Sequence, residues 1–121
     1  LGGIVARESA RDRPDLVAGV VTFGSPLAGP RHTSAAGVYT ADELETIEAM
    51  IDDRRARPIT VPVTAIYSRN DGIVDWVTCP DRDTPGAVNV EVTSSHVGMG
   101  IDPDVWRAVG AALDDLDDRA R

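Results

Sequence analysis

The chain has 121 residues, enough for one domain with a core of its own. Twenty Asp and Glu against twelve Arg, with no Lys, leave a net charge of -8, and such a surface repels nucleic-acid phosphates and anionic lipid headgroups alike. No apolar run approaches the roughly 20 residues of a membrane-spanning helix, so no integral membrane segment is expected, and a single cysteine, Cys79, excludes an internal disulfide.

In chain order, a helix is predicted from about Leu1, with Gly2 and Gly3 suited to a backbone pressed against a strand, and Pro14 ends it. Leu16 to Phe23 is almost wholly apolar and β-branched at Val17, Val20, Val21 and Thr22, the pattern of a strand buried on both faces. Gly24-Ser25-Pro26 closes it. After a loop-like stretch, Thr40-Ala41-Asp42-Glu43 forms a capping box ahead of Leu44, Ile47, Met50 and Ile51 at helical spacing, which predicts an amphipathic helix to about Arg54.

Ile59 to Ser68 reads as a second buried strand that starts near Val63, because Pro62 cannot donate to a ladder. Val88, Val90 and Val92 alternate with Asn89, Glu91 and Thr93, which predicts a strand with one wet face at the margin of a sheet. Asp102-Pro103 supplies an N-cap and a first-turn proline for a last helix carrying Val105, Trp106, Val109, Leu113 and Leu116. Four aspartates, Asp114, Asp115, Asp117 and Asp118, sit where the helix dipole disfavours negative charge, so that end is expected to fray. Strands separated by long crossovers argue for an α/β domain with a parallel sheet.

Two short segments carry the chemistry. Asp71 lies in Tyr67-Ser68-Arg69-Asn70-Asp71-Gly72-Ile73-Val74 and His96 in Thr93-Ser94-Ser95-His96-Val97-Gly98-Met99, each just past a strand-like run. A serine hydroxyl is a weak nucleophile until a neutral imidazole accepts its proton, and a carboxylate must hold that imidazole in the right tautomer. Loops at the carboxyl ends of parallel strands all emerge on one edge, where such groups can converge. Leu1-Gly2-Gly3 has the form of the second half of a Gly-x-Ser-x-Gly nucleophile elbow whose serine would directly precede Leu1.

Other residues compete for these roles. Asp75 is a rival acid, although its plainer reading is a polar loop residue. Ser25, in Phe23-Gly24-Ser25-Pro26-Leu27, lacks the two framing glycines and suits a turn. His32 stands in a polar loop with no second histidine at ligand spacing, which argues against a metal site. Cys79 reads as a small hydrophobe, and Trp76 and Trp106 as core or pocket lining. No glycine-rich phosphate loop is present, and no cofactor is expected.

Taken in order, Leu1-Gly2-Gly3, Val21-Thr22-Phe23-Gly24-Ser25-Pro26, Asp71-Gly72-Ile73-Val74 and Ser95-His96 resemble the carboxyl-terminal half of the α/β-hydrolase fold superfamily, nearest its lipase- and esterase-like members. That resemblance implies about three parallel strands with flanking helices over residues 1–121, with residues 30–58 either a short cap or a crossover insertion. It implies that Asp71 is the triad acid after the seventh strand, His96 the base after the eighth, and the Leu1 backbone N–H an oxyanion donor. The implied activity is serine-dependent hydrolysis of a small-molecule ester or lipid-like substrate without cofactor or metal, and this chain, lacking the nucleophile, would be inactive alone. The same triad serves acyltransferases and peptidases, and a non-catalytic hydrolase-like binding protein is the remaining alternative; serine directly before Leu1 would favour the enzyme.

Overall fold

The structure, a computed structural model, describes residues 2–27 and 37–121. Their elements run α1 (Gly2–Asp12), β1 (Val20–Phe23), α2 (Ala41–Arg55), β2 (Val63–Ser68), β3 (Val88–Val92) and α3 (Pro103–Arg119), with single 3-10 turns at Trp76–Thr78 and Val97–Gly100. The three described strands form one parallel sheet in the order β1-β2-β3. Three parallel strands with flanking helices in an α/β arrangement, as expected from the sequence, are what the described residues form.

Alternation along the strands sends neighbours to opposite faces, and each face carries its own core. Val20 lies opposite Val63 in the register, and both pack with Ala10 of α1 and with Ile59 on one face. Ile66 lies opposite Val90, and on the other face Ile66, Val92, Met99 and Val105 cluster with Val21, Ala108 and Val109, which brings α3 onto the sheet. The result is three layers, α1, sheet and α3. Burying an aliphatic side chain of this size stabilises by roughly 1.5–3 kcal/mol, so Ile66, sealed at the centre of the middle strand, is the position where truncation to Ala would damage the sheet most.

Several elements differ in extent from the sequence expectation. The first strand is shorter than Leu16 to Phe23, and Leu16 is 70% exposed. The cause is its partner: β2 cannot pair before Val63, since Pro62 contributes only its carbonyl, which accepts from Val20 N–H at 2.9 Å. The edge strand β3 buries Val92 but leaves Val88 exposed, so its inward face is apolar only toward the carboxyl end. Helix α3 stays helical through Arg119 despite its aspartates, because Arg119 pairs with Asp115 at 2.6 Å and Arg121 with Asp117 at 3.0 Å.

Helix α2 starts at the predicted capping box: Glu43 N–H donates to Thr40 Oγ1 at 3.2 Å and Thr40 N–H to the Glu43 carboxylate at 2.7 Å. Of its apolar residues Leu44 is buried, whereas Met50 is exposed. Its carboxyl end is fastened by charge, Arg54 pairing with Glu8 at 2.8 Å and also with Asp12 on α1. No helix among the described residues is long and apolar enough to cross a membrane.

Candidate functional site

Because the strands are parallel, their carboxyl ends share one edge, and three turns meet there: Gly24 after β1, Asp71 after β2 and His96 after β3. His96 Nδ1 lies 2.8 Å from Asp71 Oδ2. The carboxylate is 1% exposed and the imidazole 32%. The acid is therefore sealed from water while one side of the ring remains reachable.

Asp71 is oriented by its own loop. Its Oδ1 accepts the backbone N–H groups of Ile73 and Val74, each at 2.9 Å, and its backbone N–H donates to Ser68 O at 3.2 Å. Side-chain closure of this kind is what Asp does well at turns. Gly72 is not the pivot that a tight turn would suggest: its φ is not positive and a Cβ there would meet nothing within 4 Å. Val74 is buried and anchors the loop, whereas Ile73 is 42% exposed and does not. Burial pushes the Asp71 carboxyl up, but hydrogen bonds from Val74 N–H, His96 and Ile73 N–H outweigh it and hold the group below the ordinary carboxylate value.

His96 is held by its own segment and by Gly24. Three residues on, Met99 is fully buried, and Met99 N–H donates to Ser95 O at 3.1 Å while Ser95 Oγ accepts from Gly98 N–H at 3.1 Å. Ser94 hydroxyl donates to the Asp102 carboxylate, whose other oxygen caps α3 through Asp104 N–H at 2.8 Å. Against the ring stands Gly24, with φ +62°, where a Cβ would come 3.0 Å from His96 Nδ1, 3.1 Å from its Cε1 and 3.3 Å from Met99 Sδ. Gly24 is thus required twice, for a left-handed backbone and for the space the ring occupies.

No family model matches the sequence, and no curated protein matches it. Among solved structures, alpha/beta hydrolase domain-containing protein 10 from mouse is similar to 98% of this chain with a TM-score of 0.64 and 17% sequence identity. This chain has the α/β-hydrolase fold. It spans 59% of the length of that mouse chain, and at this identity the likeness is one of architecture.

Within this α/β-hydrolase fold, Asp71 and His96 come together and their rivals do not. Asp75 is exposed and caps the 3-10 turn that follows, its Oδ1 accepting from Val77 N–H at 3.2 Å. Ser25 is buried under α1, so close that a Cβ on Gly3 would fall 1.8 Å from its hydroxyl oxygen. The expected pressing of the helix start against the strand is thus made by Gly3; Gly2 has open space around it. Cys79 is buried, and burial together with the Asp71 charge raises its thiol to about 11, which keeps it protonated and unreactive near neutrality.

The two tryptophans differ, Trp76 half-buried and Trp106 exposed. Trp106 is 56% exposed and donates to Gly100 O at 3.1 Å, and Trp76 stacks on Tyr67 with 6.0 Å between centroids while the Arg69 guanidinium lies 4.6 Å over its ring. Leu1, whose N–H the resemblance makes an oxyanion donor, and His32 lie outside the described residues. Among the described residues no group of three or more His, Cys, Asp or Glu could hold a metal ion. Gly24 and Asn70 border the Asp71–His96 pair without being titratable, so their residue type alone does not mark them; Gly24 stands at a strand's carboxyl end, where close approach is common.

Proposed function

We propose that Asp71 and His96 are the acid and the base of a serine-hydrolase triad acting on carboxylic esters, with the nucleophile serine directly preceding Leu1 in the whole protein. The observation that carries this reading is the 2.8 Å contact between His96 Nδ1 and Asp71 Oδ2 at the carboxyl ends of two adjacent parallel strands. The α/β-hydrolase fold supports it by analogy alone, and the weight rests on the site, where function resides.

In this reading the carboxylate accepts a hydrogen bond from Nδ1–H, which leaves Nε2 as the nitrogen able to take a proton. The serine Oγ attacks the ester carbonyl carbon as its proton passes to Nε2, and the carbonyl π bond opens to an oxyanion. Collapse of that tetrahedral species breaks the acyl–oxygen bond, and the alkoxide leaves as an alcohol with the proton from Nε2. Water then repeats the sequence on the acyl-enzyme and releases the carboxylic acid. The Leu1 N–H would donate to the oxyanion, since the residue after the nucleophile supplies one of its hydrogen bonds in such elbows. Asp71 stabilises the imidazolium formed midway without accepting its proton, as its depressed pKa favours.

The test is to read the codons immediately upstream of Leu1 and to treat the whole protein with a fluorophosphonate and with nitrophenyl esters. Gly-x-Ser before Leu1, stoichiometric phosphonylation of that serine and ester turnover are expected. Any other residue in place of the serine, or a folded protein inert to both reagents, would defeat the reading.

A further inference from the structure

We propose that Asn70 is a positioning residue that sets the distance between Asp71 and His96 by continuing the β2–β3 ladder one step past its last backbone pair. The inference rests on the triad reading above and deepens it. The register of β2 and β3 ends with Ser68 opposite Val92. Beyond it, among the described residues, no backbone hydrogen bond joins the acid loop to the histidine segment. The Asn70 side chain supplies one: its Nδ2 donates to Thr93 O at 2.8 Å. Thr93 directly follows Val92 and lies three residues before His96.

Asn70 is fixed at its other end as well. Its backbone N–H donates at 3.1 Å to Ser68 Oγ, and Ser68 is sealed in the sheet. One residue therefore spans from the rigid end of the middle strand to the first residue of the histidine segment, and the next residue in sequence is the acid. The remaining tethers act elsewhere. Ser94–Asp102 ties the histidine segment to α3, Gly24 bounds the ring from the β1 side, and the Arg69–Glu91 ion pair at 2.8 Å joins two exposed side chains, running from the residue just past β2 back into β3 without reaching the histidine segment. Besides the Asp71–His96 contact itself, Asn70 is, among the described residues, the side chain that bonds the acid loop to the backbone of the histidine segment, and it does so from an exposed position. Its amide suits the role because Asp at that position, of the same size, would turn an acceptor toward the Thr93 carbonyl and add a negative charge beside Asp71.

The experiment uses the intact protein labelled with nitrogen-15 at histidine, with His96 assigned by its loss in His96→Gln and with Asp71→Asn as the reference for a broken dyad. In the parent protein His96 is expected to carry its proton on Nδ1. Asn70→Ala and Asn70→Asp should both move the tautomer balance toward Nε2–H while the protein stays folded. Ester turnover should fall roughly tenfold in kcat with KM unchanged, less than the ~10²-fold that an ångström of misplacement costs. In an Asp71→Asn background the same changes should cost nothing more, because Asn70 acts through the dyad.

An unchanged tautomer balance and kcat in folded Asn70→Ala would overturn the proposal, as would a full additional loss in the Asp71→Asn background. If Asn70→Ala fails to fold, Asn70→Asp, which keeps the side-chain volume and the backbone bond to Ser68, decides in its place. A parent protein with the Nδ1–H signature but no ester turnover would defeat the hydrolase reading alone, and the tautomer shift would then judge Asn70 by itself. A parent protein without that signature overturns both.

Discussion

The turns around Asp71 and His96 and the helix α2 begin from the same local device, a side-chain oxygen that captures backbone N–H groups, yet they are bound to the rest of the molecule in different ways. Asp71 closes its turn on Ile73 and Val74 and then buries its carboxylate against His96, with Val74 and Met99 sealed beneath the two loops. Thr40 closes the first turn of α2 in the open, and α2 is held near its carboxyl end by Arg54 bridging to Glu8 and Asp12 on α1. Hydrogen bonds shielded from water fix geometry to a few tenths of an ångström and ignore salt. Partly exposed ion pairs hold a helix in place without specifying it closely, and they weaken as ionic strength rises. The difference sets a geometrically fixed strand edge beside a helix that is fastened mainly by charge.

The sharpest way to break the comparison is at its buried carboxylate. Asp71→Asn keeps shape and both backbone acceptor bonds while removing the charge that orients the imidazole. In the whole protein it should lower kcat by about 10⁴, as loss of the orienting carboxylate does in a comparable triad. Asp75→Asn, which alters only an exposed turn cap, should cost far less. A greater loss for Asp75→Asn, with both variants folded, would reverse the assignment of the acid. Gly24→Ala comes next in size: a left-handed backbone costs a residue with a Cβ roughly 1–2 kcal/mol, and here the Cβ also meets the His96 ring. Urea unfolding should show a shifted midpoint with an unchanged slope, accompanied by lost turnover; a neutral substitution would mean that the ring does not lie against Gly24.

What could be read in advance follows the same division. Capping boxes, proline stops and β-branched runs are local, so the starts of α2 and α3, the start of β2 near Val63 and the parallel arrangement were legible in the sequence. Asp71 and His96 were legible as residues just past strand-like runs, which is where they stand. The length of β1 was not, since it is fixed by where its partner begins after Pro62. Nor were the surroundings of the site: Gly24 matters through a ring that arrives from 72 residues downstream, and Asn70 through a carbonyl on the neighbouring strand. Of the two tryptophans expected in the core or lining a pocket, Trp106 lies exposed on α3 while Trp76 is half-buried against Tyr67, a difference that side-chain size alone does not reveal.

A smaller effect should appear in acid. The Asp71 carboxyl lies below its ordinary value when folded, so its contribution to stability is complete above the unfolded value of about 3.9 and disappears as pH falls through the lower folded value. Asp81 behaves in the same sense: burial raises it, but bonds from Thr84 and from Arg7, whose guanidinium lies 2.7 Å away, hold it down. Stability measured against pH should therefore fall less steeply below about pH 4 in Asp71→Asn than in the parent protein. Equal slopes would show that Asp71 has no depressed pKa and would weaken the claim that the dyad is preorganised.

The least effect is expected from α2, and it tests the other half of the comparison. Arg54→Gln removes the pairs to Glu8 and Asp12 together, and raising salt from about 0.1 M to 1 M shortens the screening length from ~10 Å to ~3 Å, which weakens the same pairs without mutation. Either change should speed cleavage by a glutamate-specific protease at Glu45 and Glu48 by a few-fold, and the two should not add, since they remove one interaction. The Nδ1–H signature of His96 should stay constant throughout, because nothing in the dyad depends on Arg54. If cleavage is indifferent to both salt and substitution, α2 is held by Leu44 and its apolar neighbours, and the contrast between a geometrically fixed edge and an electrostatically fastened helix fails. If the His96 signature moves along with cleavage, the two regions are coupled, and α2 would have to be counted as part of what orders the site.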